Sequence, residues 1–153
     1  MSSFTDADRE LVEAATRAIE DRDERDRHRV GAAVRTETGD VFAGVDLRTP
    51  DESVGVCAES VALGTARLAG SGAVVAVAAV SYPRPNERRE PEILVPCDSC
   101  RDLLVAYGDR PRAVVAGDDG PEATPIADLS DSPAERADGT DGPESPGRSV
   151  ENG

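Results

Sequence analysis

Cys57-Ala58-Glu59 and, forty positions on, Pro96-Cys97-Asp98-Ser99-Cys100 are the two stretches from which the rest of the chain can be read. They contain the only three cysteines among 153 residues. Each stands at the head of a run with helical character. Cys57 to Leu68 favours helix, and Gly70 sits where a terminating glycine belongs. Pro96 starts a second helix, expected from about Cys97 to Tyr107 and closed by Gly108. Cys97 and Cys100, three residues apart on that helix, share a face and point at one spot. Thiolates in the first turn of a helix are favoured by its free amides and dipole.

Strands are expected between and before these helices. Val30–Arg35 and Val41–Val45 flank Thr38-Gly39, a hairpin signal. Residues 46–56, with Pro50 and Gly55, read as a loop that delivers Cys57. Ala73–Val80 is a continuous apolar run, the mark of a strand buried on both faces. Ile93–Val95 and Arg112–Ala116 supply two more. Upstream, Thr5 with Asp8 forms a capping pair for a first helix to about Glu20, lined by Leu11, Ala15, Ala18 and Ile19. Strands alternating with helices argue for an α/β sheet covered on both faces.

Composition bounds the remainder. The chain carries 31 acidic residues against 17 basic ones, a net charge of −14, and all 17 are Arg. An acidic surface without lysine resembles that of proteins from salt-loving microbes, where salt screens self-repulsion. It argues against a polynucleotide partner, since phosphate backbones need a basic track. Three cysteines do not close a disulfide framework. The start, Met1-Ser2-Ser3-Phe4-Thr5-Asp6, has no basic or apolar signal core, and no apolar run approaches the ~20 residues of a membrane span. A reducing, cytoplasmic setting is expected. Residues 131–153 hold three Pro, four Gly, six acids and two Arg, and are expected to be a disordered acidic tail beyond a domain of residues 1–130.

Three thiolates suit zinc and leave a fourth tetrahedral position open, the mark of a catalytic rather than a structural site. Arg101 is placed to assist a sulfur. A Cys-x-x-Cys pair alone also fits redox pairs and zinc knuckles. The addition of Pro96, Cys57 and Glu59 gives the zinc nucleobase deaminase pattern, in which the Glu is a general acid/base and not a ligand. A rival reading is a closed Cys3His site completed by His28, the single histidine, in a non-catalytic zinc module.

At these residues the chain resembles the cytidine deaminase superfamily, within it the small cytidine deaminase and blasticidin-S deaminase branch. The likeness runs from about Val30 to Leu129 and includes Val30-Gly31-Ala32-Ala33-Val34 and Leu63-Gly64-Thr65-Ala66. The resemblance implies a three-layer α/β/α sandwich with a mixed five-stranded sheet, and one zinc per subunit on Cys57, Cys97 and Cys100. It implies Glu59 as proton shuttle, the Ala58 amide on the carbonyl of the base, and a homo-oligomer, tetramer or dimer. Three positions depart from the branch. Asp46 and Arg48 stand where an Asn and a Glu usually grip ribose hydroxyls, His28 where an aromatic packs on the base, and Ser60 where Arg often follows the catalytic Glu. The expected reaction is hydrolytic deamination of cytidine or deoxycytidine, with a modified cytosine nucleoside such as blasticidin S as the alternative.

Overall fold

The computed structural model describes residues 4–20, 29–51, 53–83 and 87–129. Helix α1 spans Asp6–Glu20. Its start is a reciprocal capping box: the Thr5 amide donates to Asp8 at 3.1 Å and the Asp8 amide to the Thr5 hydroxyl at 3.1 Å. Leu11, Ala15 and Ile19 are fully buried beneath it.

Strands β1 (Val30–Thr36) and β2 (Val41–Val45) pair antiparallel across a turn in which Gly39 takes the left-handed conformation. Residues 46–56, expected as loop, contain a small antiparallel ladder of β3 (Leu47–Arg48) on β4 (Gly55–Val56). Helix α2 (Ala58–Ala69) follows and ends at Gly70 with φ +70°. Strand β5 (Val74–Ser81) is central: β1 lies antiparallel on one side, and β7 (Gly108–Gly117) lies parallel on the other. The crossover between β5 and β7 carries β6 (Glu92–Leu94) and helix α3 (Asp98–Ala106). β6 pairs with the end of β5, at Ala79 to Ser81, beyond the part that β7 occupies.

β8 (Gly120–Pro125) closes the sheet against β7, giving the order β2-β1-β5-β7-β8 with β6 beside β5. The mixed α/β/α architecture is as expected, with β6 as a sixth strand beside the five that run across the sheet. β8 is an addition to the strands read from sequence, and β7 begins four residues before the Arg112 start expected for it. A short 3-10 turn, Ile126–Asp128, ends the described chain.

Period-two alternation divides the core. Ala33, Ala76, Ala78, Val80 and Val114 pack under α1. Val34, Val74, Val77, Ala113 and Val115 pack under α2 and α3. These residues are small, so the layers lie close. A Cβ on Gly31 would fall 2.1 Å from the Ala15 carbonyl oxygen in α1, and one on Gly44 would fall 2.7 Å from the Ala62 amide nitrogen in α2. The second contact matters for the site, because it seats α2, with Cys57 and Glu59 at its head, directly on β2. The acidic tail, residues 131–153, lies outside the described residues.

Candidate metal centre and its cavity

α2 and α3 bring their first turns together. Cys57 is the N-cap of α2 and Cys97 the N-cap of α3, both with extended backbone, and Cys100 lies one turn into α3. The three Sγ atoms lie within 4.8 Å of one another. Cys57 and Cys97 are 3.7 Å apart, close to the ~3.8 Å edge of a tetrahedron with sulfur about 2.3 Å from zinc. The donor set and its spacing therefore fit a zinc ion. Cys100 is buried, Cys97 half-buried and Cys57 exposed toward the cavity. Cys57 and Cys97 line a cavity, whereas Cys100 belongs to the core, so the sulfur trio is open to a small molecule on the cavity side.

The thiols divide their protons unequally. A hydrogen bond from the Cys100 thiol, with the Ser99 and Cys100 amides close by, draws Cys97 down to about 5. Those amides approach without the alignment of a formal helix cap. Cys57 is pushed up to about 11, chiefly because its sulfur end is desolvated although the residue as a whole is exposed. Cys100 is raised by its bond to Cys97 and by burial. One thiolate forms readily, and the next two need a cation to form.

Glu59 sits one residue inside α2 and is 5% exposed. Burial raises its carboxyl above the usual range, and the nearby Cys97 and Asp46 charges add to that. Arg101 donates to the Pro96 carbonyl at 2.9 Å and to the Asp98 carboxylate. It ties down the segment that presents Cys97.

A cavity of about 360 Å³ opens above the sulfurs, walled in part by Cys57, Ala58, Glu59 and Cys97. Asp46 and Arg48 lie on its outer wall. Asp46 is 3% exposed. Its Oδ1 accepts from the Arg29 amide at 2.9 Å and the Val30 amide at 3.0 Å. Its Oδ2 accepts the Arg48 guanidinium through Nε at 3.0 Å and Nη2 at 2.6 Å. Asp46 thus fastens the start of β1 and holds Arg48 against the cavity. That is a buried brace, not the exposed surface ion pair that the polar sequence around it would equally allow. His28 lies outside the described residues. Sequence reasoning missed the apolar walls Val30, Val56 and Leu94. The signal for Val56 and Leu94 was their position just before each cysteine segment.

A mixed sheet whose covering helices bring three cysteine sulfurs and a buried carboxylate together at their starts defines a zinc-binding domain of the nucleobase deaminase type. Residues 5–117 match the family described as the cytidine and deoxycytidylate deaminase zinc-binding region. The blasticidin-S deaminase of Bacillus cereus is 37% identical over 106 residues, covering 69% of this chain and 76% of that protein. The cytidine deaminase structure from Burkholderia pseudomallei has 27% identity and a TM-score of 0.60, covering 78% of this chain and 93% of that one. That from Mycobacterium leprae shares the fold, with 24% identity, a TM-score of 0.60, and coverage of 78% and 92%. The chain belongs to the cytidine and deoxycytidylate deaminase family, a family of hydrolytic deaminases. Its cysteine trio is the site for one zinc per subunit.

Proposed function

We propose that this protein removes the exocyclic amine of a cytosine nucleoside by hydrolysis, converting cytidine or deoxycytidine to uridine or deoxyuridine with release of ammonia. The observation that carries the reading is a buried, protonatable carboxylate, Glu59, which shares a cavity with Cys57 and Cys97 of the three-sulfur site. Zinc, when bound by Cys57, Cys97 and Cys100, supplies Lewis acidity and ionises a water near neutral pH.

The remaining work falls to the chain. Glu59 accepts the proton of the attacking water and passes it to the ring nitrogen. It then takes the proton of the new C4 hydroxyl and gives it to the amine, which leaves as ammonia while the C4 carbonyl forms. Its raised pKa suits that two-way traffic, because a carboxyl poised nearer neutrality both takes and returns protons. The Ala58 amide, at the head of α2 in the cavity wall, holds the carbonyl of the base. Arg48, braced by Asp46, faces the sugar. Asp46 already accepts from two amides and a guanidinium fork, so it shapes the wall instead of gripping a sugar hydroxyl. The base-stacking role at His28 is part of the same proposal.

A second reading within the class is a modified cytosine nucleoside such as blasticidin S, favoured by the Bacillus cereus relative. The setting proposed is cytoplasmic and rich in salt. Among the described residues no helix is long and apolar enough to cross a membrane. A homo-oligomer, tetramer or dimer, is proposed from the apolar residues left outside on α2 and α3, among them Leu68 at 90% exposure. The test is ammonia release by the zinc-loaded protein in high salt with cytidine, deoxycytidine and blasticidin S. Turnover of one or more is expected, and release from none would refute the proposed activity.

A further inference from the structure

Ser60, in the first turn of α2, has a part in the zinc centre that none of the roles above gives it. Its hydroxyl oxygen lies 3.3 Å from the Sγ of Cys100. The contact crosses between the two ligand-bearing helices, since Ser60 belongs to α2 and Cys100 to α3. The Ser60 amide is already engaged within its helix turn, donating to the Cys57 carbonyl at 3.1 Å, so the side chain is what reaches the sulfur.

Cys100 is the most deeply buried of the three sulfur residues, at 1% exposure. A sulfur that ligates a metal carries no proton. In the loaded site the hydroxyl is then the donor and the sulfur the acceptor. A buried anion without a donor is costly, and a hydrogen bond to a metal ligand both orients it and weakens its donation to the metal.

We propose that Ser60 is a positioning residue of the zinc centre, its hydroxyl donating to the ligating sulfur of Cys100 and locking α2 to α3 through that sulfur. This role depends on the three-sulfur zinc site and not on which nucleoside is used. Protein inactive on every nucleoside, with the effects below intact, would contradict the proposed activity and leave this inference standing.

The deciding experiment compares Ser60→Thr with Ser60→Val, which share a shape and differ in the hydroxyl. Zinc affinity is measured by competition with a chromophoric chelator, and the thiolate-to-metal band is recorded on the cobalt-substituted protein. The Thr variant should hold zinc within about threefold of the parent, and the Val variant should bind it roughly 10–100-fold more weakly. The cobalt band of the Val variant should move to lower energy, because the sulfur has lost a donor, while that of the Thr variant stays. Ser60→Ala, which adds no bulk, should behave like Val. Equal affinities and equal bands for Thr and Val would overturn the inference.

Discussion

At the inner end of the cavity, the ligands come from the first turns of two helices packed on the core. At the outer end, Arg48 stands on a two-residue strand, held by the buried carboxylate of Asp46. The inner end has little room to change without loss of metal, because Cys100 is both ligand and core residue. The outer end can exchange one polar side chain for another while the sheet beneath it stays in place. On the function proposed above, chemistry is built into the fold and substrate choice is laid over it.

The comparison can be broken most forcefully at the metal. Cys57→Ala removes an exposed ligand without opening the core. It should abolish zinc retention and lower turnover to the uncatalysed background, read by metal analysis and ammonia release. Glu59→Gln should keep one zinc per chain while turnover falls roughly 10²–10⁴-fold. A drop of less than tenfold would remove Glu59 from the proton path.

Zinc affinity should also depend on pH. Near neutrality Cys97, lowered to about 5, is already a thiolate, whereas Cys57, raised to about 11, and Cys100, also raised, are still protonated. Binding then releases about two protons, so affinity should climb with pH by about a hundredfold per unit between about 6 and 9. A flat profile from chelator competition would show that the thiols do not share protons in this way.

At the outer end the effects shrink and change kind. Arg48→Gln should leave zinc affinity unchanged and shift the kcat/KM ratio between cytidine, deoxycytidine and blasticidin S by roughly tenfold or more. An unaltered ratio would make Arg48 a bystander. Gly44→Ala tests the support between the two ends. The added methyl meets the Ala62 backbone at 2.7 Å and should cost about 1–3 kcal/mol, seen as a lower Tm in thermal unfolding.

Much of the inner end was legible in the sequence, because metal ligation demands particular residue types at fixed spacing. The Thr5–Asp8 cap and the terminating Gly70 were legible for a similar reason, since each answers a local backbone need. β8 was not. It contains Pro121, Glu122 and Pro125, which break any alternating pattern, and it tolerates them because an edge strand can leave amides unpaired. Asp119-Gly120, a hairpin dipeptide, was the available signal. The β3–β4 ladder is two residues long on each side, too short for any periodicity to show. Asp46 was legible as a residue at a telling offset, yet its role as a brace for β1 depends on a contact 17 residues away in the chain. The Ser60–Cys100 contact, 40 residues apart, lay equally beyond local reading.

The most direct test of the zinc site is the X-ray absorption spectrum of the purified protein at the zinc edge. Three sulfurs at about 2.3 Å and one oxygen are predicted. Fewer than three sulfurs, or the outer-shell scattering of a bound imidazole, would contradict it.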